Sequence, residues 1–153
     1  MKKIVVISDT HGNVAALEKL RGILVENDVV IHCGDGCKDV SYFPEIKEGY
    51  SVRGNCDGLN RDEKVIEIEG KKILILHGHN HGVKGGLTRL KYYAQEKGVD
   101  VVFYGHTHKA DISEADGITF INPGNLSRYS ANKSYCYVVI NGDKLTPVIV
   151  PII

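Results

Sequence analysis

The sequence lacks the features that would direct it to a membrane or to an oxidising compartment. It contains no apolar run that approaches the roughly 20 residues a membrane-spanning helix needs. The apolar run near the start ends at Ser8, which makes it too short for the core of a secretory signal. The four cysteines form no C-x-x-C pair, so a disulfide framework is not expected. We therefore expect a cytoplasmic protein.

The sequence also lacks an excess of either charge, because 19 Lys and Arg residues balance 19 Asp and Glu residues. The net charge of zero gives no electrostatic argument for binding nucleic acid or an anionic membrane surface. Hydrophobic residues make up 42% of the chain and charged residues 25%, which is typical of a globular protein. The length of 153 residues suits one domain, 1–153.

Short β-branched runs bounded by glycine and polar residues predict strands throughout the chain. In the first part they alternate with two helical patterns, one at 14–24 after the capping residue Asn13 and one at 87–97. The end of the chain carries two hairpin signals, Asp116-Gly117 and Asn141-Gly142. The predicted strands are 3–7, 29–33, 50–53, 65–68, 72–76, 101–104, 110–114, 118–121, 134–140 and 144–150. The pattern predicts an α/β first part and a β-rich end.

Five of these strands end in a polar loop that contains glycine. The loops are Asp9-Thr10-His11-Gly12, Gly34-Asp35, Gly54-Asn55, His77-Gly78-His79 and Gly105-His106-Thr107-His108. Sites in open α/β sheets gather at the carboxyl ends of the strands, so these loops are expected to converge. Glycine beside each polar residue allows close backbone approach and unusual dihedral angles. We therefore predict one functional site built from all five loops.

The side chains of these loops suit metal ions rather than a structural zinc site. They form a mixed oxygen and nitrogen set without thiolate, whereas a structural zinc site would be closed by cysteines. Such a set suits manganese, iron, nickel or zinc, with positions left open for water and substrate. The predicted ligands are Asp9, His11, Asp35, Asn55, His77, His106 and His108. This set is too large for one open site and fits two ions that share a bridging ligand.

The five motifs, in this order, resemble those of the calcineurin-like metallophosphoesterase superfamily. The short length, the segment Val-Arg-Gly-Asn-Cys-Asp at 52–57 and the segment Asn-Pro-Gly at 122–124 resemble its small bacterial and archaeal phosphodiesterase branch. The resemblance extends from Ile4 to about Asn125. It implies an α/β fold, a four-layer α/β/β/α sandwich of two mixed β-sheets flanked by helices, with the site at one edge.

The resemblance also implies how the ligands divide between two divalent ions. Asp9, His11 and His108 would hold one ion. Asn55, His77 and His106 would hold the other, and Asp35 would bridge the two. A water that bridges two dications loses a proton near neutral pH and becomes the nucleophile that hydrolyses the phosphodiester bond. Manganese is the expected ion, and nickel, iron or zinc would suit the same ligands.

The charges at such a site favour a phosphodiester anion as substrate. Two dications supply four positive charges, Asp9 and Asp35 remove two, and a bridging hydroxide removes a third. The remaining positive charge matches a phosphodiester, which gives a physical reason for the neutral carboxamide of Asn55. We therefore expect a small phosphodiester substrate. The neutral chain offers no electrostatic footprint for nucleic acid.

Cys56 and His79 are further catalytic candidates beside Asp35 and Asn55. Larger members of the superfamily have a histidine in place of Cys56, and that histidine contacts the phosphate or assists the leaving group. A neutral thiol is a poor proton donor to an alkoxide, so Cys56 is expected to favour diesters and good leaving groups; packing alone is the alternative. His79 follows a predicted ligand by two residues, where it could contact phosphate or support that ligand.

Several nearby residues have simpler interpretations. His32 is expected to be a satisfied histidine in the middle of a strand that orients a neighbouring ligand at most. Arg53 would either contact phosphate or form an ion pair, and Asp57 could pair with a base. The roles of Asn122 and Asn125 are not evident from their positions.

The alternative function is a non-enzymatic protein-interaction scaffold of the retromer-subunit type. That scaffold is expected to share this fold after losing part of the metal set. Every predicted ligand position here carries a residue able to coordinate, which favours the enzyme. Exposed strands in the β-rich end could also pair between chains to form a homo-oligomer.

Overall fold

Two mixed five-stranded sheets form the centre of the computed structural model, which describes residues 1–152. The strands are β1 (Lys2–Ile7), β2 (Val29–His32), β3 (Gly49–Ser51), β4 (Glu63–Ile68), β5 (Lys71–Leu76), β6 (Val101–Phe103), β7 (Asp111–Ala115), β8 (Ile118–Asn122), β9 (Lys133–Asn141) and β10 (Lys144–Ile152). The α-helices are α1 (Val14–Lys19), α2 (Arg21–Glu26) and α3 (Thr88–Lys97), and short 3-10 helices span Cys37–Tyr42, His79–His81 and Val83–Gly85. All ten predicted strands are confirmed, with ends shifted by a few residues.

The alternation of side chains along the strands explains why the layers stack. On β1, Ile4 and Val6 belong to the core between the two sheets, whereas Val5 and Ile7 pack in the cluster that contains the buried leucines of α1 and α2. On β5 the inner side chains join the same central core, and the outer ones pack with α3. Successive strand residues point to opposite faces, so a wholly apolar strand must be covered on both sides. The predicted four-layer α/β/β/α sandwich is confirmed.

The strand order brings the predicted loops to one edge. The first sheet has the order β10-β9-β1-β2-β3, and the second has the order β4-β5-β6-β8-β7. β1, β2 and β3 pair in parallel, and so do β5, β6 and β8. Parallel strands end at the same edge of a sheet, so the loops that follow them are neighbours. Within the described part of the chain, every helix is too short or too polar to span a bilayer.

The first helix differs from the prediction. The pattern at 14–24 predicted one helix, but the structure has two helices of six residues with Leu20 between them at φ −96° and ψ 5°. Gly22 follows the break, and glycine disfavours a helix by about 1 kcal/mol relative to alanine. Leu17, Leu20 and Leu24 are all buried against the first sheet. The break is therefore compatible with full burial of the apolar face.

The outer strand of the first sheet, β10, contains Pro147 and Pro151. Both residues lie in the antiparallel ladder with β9. They are separated by an even number of positions, so their backbone nitrogens point to the same side of the strand. Proline has no N–H, so within a ladder it occupies positions whose donor would point away from the partner strand. The free edge of β10 therefore lacks donors at two places, which makes it a poor template for strand pairing between chains.

His32 lies at the end of β2 rather than in its middle, and its ring is fully buried. The N–H of Gly34 donates to His32 Nδ1 at 3.0 Å, so the ring proton is on Nε2 and donates to Thr10 Oγ1 at 2.9 Å. The Thr10 hydroxyl donates in turn to Asp39 Oδ2 at 2.6 Å. Burial lowers the pKa of His32 to about 4, even though nearby carboxylates oppose the shift. His32 is a satisfied histidine that joins the loops after β1 and β2.

We predict that protonation of His32 contributes to acid destabilisation of the metal-free protein. The pKa is about 4 when folded and 6.5 when exposed, so the stabilisation is complete above about pH 6.5 and is lost as the pH falls toward 4. The loss between pH 7 and pH 5 is about 2 kcal/mol. Urea unfolding in chelator should show a weaker pH dependence for His32→Gln, which keeps a donor for Thr10 but cannot titrate. Equal pH dependence in both proteins would show that His32 is not responsible.

Candidate metal centre

Five of the predicted ligands have left-handed backbone conformations. They are Asp9 at φ 53°, His11 at 45°, Asp35 at 59°, His106 at 73° and His108 at 63°. Within residues 1–152 the other non-glycine residues with positive φ are Glu69 and Asp116, which precede glycine in hairpin turns. Such conformations cost on the order of 1 kcal/mol each and persist where the surrounding structure imposes them. The strain lies in the ligands themselves, whereas the sequence suggested it only for the adjacent glycines.

Two glycines are needed for close approach at the carboxylates. A Cβ on Gly54 would collide with Asp35 Oδ1, and a Cβ on Gly105 would lie 2.7 Å from Asp9 Oδ2. The Gly54 Cβ would also lie 2.5 Å from the Asp35 backbone nitrogen, and the Gly105 Cβ would collide with the Ser8 hydroxyl, so neither position leaves room for a side chain. Close backbone approach, which the sequence predicted, is therefore confirmed at these two loops.

Asp9 is fully buried, and its two oxygens have different surroundings. Oδ2 accepts the Ser8 hydroxyl at 2.6 Å and the His106 N–H at 3.1 Å. Oδ1 has no hydrogen-bond partner within the described residues. It faces His108 Nε2 at 3.2 Å and His11 Nε2 at 3.7 Å. Buried carboxylate oxygens are normally satisfied, so this one fits a metal ligand.

Asp35 lies where one oxygen can serve both halves of the site. Its Oδ1 accepts the N–H of Cys56 at 2.8 Å. Its Oδ2 faces His77 Nε2 at 3.3 Å and His11 Nε2 at 3.8 Å. These two imidazoles belong to different loops, after β5 and β1. The position of Oδ2 between them suits a bridging ligand.

The possible ligand atoms form three overlapping groups, with the atoms of each group within 4.8 Å of one another. The first group is Asp9, His11 and His108, the second is Asp35, His77 and His106, and the third is His11, Asp35 and Cys56. The resemblance implied the first group for one ion and His77, His106 and Asn55 for the other, with Asp35 as the bridge, and this assignment stays a prediction. Asn55 lies on the exposed loop after β3, where its amide nitrogen is 3.5 Å from Cys56 Sγ. Its assignment as a ligand stays a prediction.

His77 is oriented by a hydrogen bond on the far side of its ring. Its Nδ1–H donates to the carbonyl of Cys33 at 2.8 Å, which leaves Nε2 free for the site. Nε2 lies 3.2 Å from His106 Nδ1. Burial lowers the pKa of His77, but the hydrogen bond with Asp35 and the carboxylate charges raise it more, so the net pKa is above its usual value. Protons and metal ions therefore compete for Nε2.

Asp57 holds the loops after β2 and β3 together. Its Oδ2 accepts the N–H groups of Asp35 at 2.8 Å and Gly54 at 2.9 Å, and its Oδ1 accepts the N–H of Gly36 at 2.8 Å. Burial opposes ionisation, but these donors lower the pKa of Asp57 below its usual value. Asp57 therefore positions Asp35 through the backbone. The sequence had suggested a different role, in which Asp57 pairs with a base.

Two asparagines support the loop that carries His106 and His108. Asn122 Nδ2 donates to Thr107 Oγ1 at 2.9 Å and to the Gly105 carbonyl at 3.2 Å. Asn125 Nδ2 donates to the His108 carbonyl at 3.0 Å. Both asparagines are buried. The Asn-Pro-Gly-Asn turn is therefore a support for two predicted ligands.

Cys56 and His79 lie next to the metal-ligand groups. The Cys56 sulfur lies within 4.8 Å of ligand atoms of His11 and Asp35. In the metal-free protein, burial and the charge of Asp35 raise the pKa of the thiol. The His79 ring lies 5.5 Å from that of His77, and burial and His77 lower its pKa. His79 Nδ1 is buried and has no hydrogen-bond partner within residues 1–152. These positions are compatible with contact to substrate for both residues.

The site has two nearby cations that were not singled out from the sequence, in addition to Arg53, whose charge acts on His79. Arg53 donates to Asp62 Oδ1 at 3.0 Å, which explains it as an ion pair. Lys84 and Lys109 instead line a cavity of about 610 Å³ that also includes Thr107. Burial, His77 and then Lys84 lower the pKa of His106, which indicates that Lys84 lies near that ring. Lys109 directly follows His108, so its position was visible in the sequence.

Comparison with known proteins gives consistent results. The chain is 36% identical over 148 residues to the probable metallophosphoesterase YsnB of Bacillus subtilis, covering 94% of this chain and 87% of the relative. It is 33% identical over 152 residues to the phosphodiesterase MJ0936 of Methanocaldococcus jannaschii, covering 83% of this chain and 86% of the relative.

Solved structures show the same fold. A predicted phosphoesterase from Streptococcus pneumoniae matches with a TM-score of 0.84 at 28% identity, covering 98% of this chain and 89% of that one. Zinc-bound Vps29 of Entamoeba histolytica matches with a TM-score of 0.79 at 24% identity, covering 97% and 98%, and shows the fold alone. The family model for the calcineurin-like phosphoesterase superfamily domain matches residues 1–144. With its motifs in order at one sheet edge, the chain belongs to the calcineurin-like phosphoesterase superfamily.

Proposed function

We propose that this protein is a phosphodiesterase that works with two divalent metal ions. The observation that carries the proposal is the buried Asp9 Oδ1, which faces imidazole nitrogens and has no hydrogen-bond partner within residues 1–152. Asp35 Oδ2 adds a second oxygen between imidazoles of two loops. The chemistry of these donors fits divalent ions, and their number exceeds what one open site requires.

Asp9, His11 and His108 would hold one ion. The other ion would be held by His77, His106 and Asn55, and Asp35 would contribute to both. Such a pair of ions would supply a water nucleophile that is deprotonated near neutral pH, and the ions would also neutralise charge on the phosphoryl oxygens. We propose manganese as the working ion; nickel, iron and zinc suit the same donors.

The chain's own contribution is to hold these donors in place before substrate arrives. The Cys33 carbonyl orients His77, Asp57 holds the backbone of Asp35, and Asn125 holds the carbonyl of His108. Supports of this kind typically change metal affinity or activity by 10- to 100-fold when they are removed. Lys84 and Lys109 place positive charge beside the site, which favours an anionic substrate.

Preference for diesters is supported by the thiol at position 56. Cys56 is exposed beside His11 and Asp35, and a thiol that binds neither ion stays neutral near pH 7. A neutral thiol gives little help to a poor leaving group, whereas a diester with a good leaving group needs little help. The relative named as a phosphodiesterase is consistent with this preference.

The first prediction concerns metal dependence. Protein stripped with chelator should hydrolyse bis-p-nitrophenyl phosphate only after a divalent ion is restored, manganese above all. Asp35→Ala should lower kcat/KM by more than about 100-fold, because it removes the oxygen that both halves of the site face. The matched control is Asp143→Ala, which removes an exposed aspartate from the β9–β10 turn.

Metal titration followed by calorimetry separates the possible outcomes. Full turnover in Asp35→Ala would contradict the assignment of this residue. Stoichiometric metal binding without turnover of any phosphate ester would reject the enzyme and favour the scaffold, and a protein partner would then be sought.

The second prediction concerns Cys56. Cys56→His should raise turnover of p-nitrophenyl phosphate relative to the diester by about tenfold, because an imidazolium can contact the second negative charge of the monoester phosphate. Both esters release the same leaving group, so any help to that group cancels in the ratio. Cys56→Ser is the control, since a hydroxyl is neutral at pH 7, carries no cationic form that could contact the phosphate, and has a similar size. An unchanged ratio in Cys56→His would leave packing as the role of Cys56.

A further inference from the structure

A second pocket opens beside a predicted metal ligand. It has a volume of about 410 Å³ and is lined by His108, Thr107, Lys109 and Asn125 on one side and by residues of the loop 127–132 on the other. The side chain of His108 is 44% exposed, and its Nε2 faces Asp9. A ligand in this pocket would therefore adjoin the metal centre.

Tyr129 forms one wall of this pocket with an unusual degree of exposure. Its side chain is 92% exposed, although large apolar side chains are usually at least partly covered. Among the exposed large side chains, Tyr129 is distinguished by lining the same pocket as a predicted ligand. An exposed aromatic ring offers a flat face for stacking.

The loop that carries Tyr129 is tied to His108 through one residue. Asn125 Nδ2 donates both to the His108 carbonyl at 3.0 Å and to Ser130 Oγ at 3.1 Å. Asn125 Oδ1 accepts the N–H of Ser127 at 3.1 Å. Lys133 Nζ donates to the Ser130 carbonyl at 2.8 Å. These bonds fix the backbone on both sides of Tyr129 relative to His108. A loop that is ordered before binding loses less entropy when a ligand arrives.

The remaining lining indicates which ligand would stack there. The residues of the pocket include Lys109 and several amide and hydroxyl side chains, and the described lining contains no carboxylate. An acyl chain would require apolar walls, which this lining does not provide. A nucleobase combines a flat ring with a polar edge, and the phosphate of a nucleotide supplies the negative charge that Lys109 and the metal centre favour.

We infer that this pocket binds the nucleoside part of a nucleotide ester, with the base stacked on Tyr129 and the phosphoryl group at the metal centre. The inference rests on the proposed function and specifies its substrate class. Tyr129 is then a specificity-determining residue, because a substrate without a base would lose the stacking contact and keep the contacts of its phosphate.

Binding of two product-like probes tests this inference. Adenosine 5′-monophosphate and ribose 5-phosphate share the sugar and the phosphate and differ in the base. Zinc-loaded protein suits ligand-observed saturation-transfer NMR, since zinc is diamagnetic, and titration gives the two Kd values. The nucleotide should bind about tenfold or more tightly than the sugar phosphate, and its base protons should show transfer. Tyr129→Ala should abolish this difference, and Tyr129→Phe should retain it.

The control variant is Tyr92→Ala, which removes another exposed tyrosine from helix α3. It should change neither the Kd values nor diester turnover. Equal binding of the two probes by the unmodified protein, or a preference that survives in Tyr129→Ala, would overturn the inference. Tight binding of ribose 5-phosphate that is lost in Tyr129→Ala would also overturn it, by showing that the ring stacks on a sugar. If the proposed function itself is wrong, the unmodified protein will show no diester turnover when metal is restored. If only the inference about the pocket is wrong, that turnover will be present.

Discussion

The burial of two ionised carboxylates at one edge of the sandwich is the constraint on which the site depends. Removal of a carboxylate from water costs several kcal/mol unless donors or cations replace the solvent. One oxygen of Asp9 accepts the N–H of His106, and one oxygen of Asp35 accepts the N–H of Cys56, each from a distant loop. The other oxygen of each carboxylate faces imidazoles. Loss of one of these donors while its carboxylate stays buried would leave a charge without compensation, so the loops hold one another in place. The same arrangement leaves two oxygens directed into the site for metal ions.

Much of the fold followed from the sequence because its apolar runs are short, wholly buried and clearly bounded. The strands β1, β2 and β3 are parallel, and parallel strands end at the same edge of a sheet, so the motifs that follow them lie together. The supports were not predicted. Asp57 and Asn125 act on backbone N–H and carbonyl groups, and a contact of this kind leaves no spacing or composition by which it could be recognised. The break at Leu20 was missed because helical spacing continues across it.

Fold and function separate clearly in this protein. A protein named Vps29 and proteins named as phosphoesterases share the sandwich, so the architecture alone does not identify an activity. The assignment depends on the side chains at the strand ends, and the substrate depends on the loops outside them. The rigid part of the site is shared between the two sheets, while Tyr129, Lys84 and Lys109 lie on connections that could change without disturbing the core. Specificity can therefore vary around a constant centre.

The left-handed backbone of the five ligand residues also affects how the site could be lost. At such a position glycine fits better than histidine or aspartate, because it has no Cβ to oppose the conformation. A change to glycine at His11 or His108 would relieve backbone strain, and both residues are exposed, so little packing would be lost. Loss of the chemistry would then be accompanied by little loss of stability, or even by a gain. Selection on activity, rather than on folding, would have to maintain these residues.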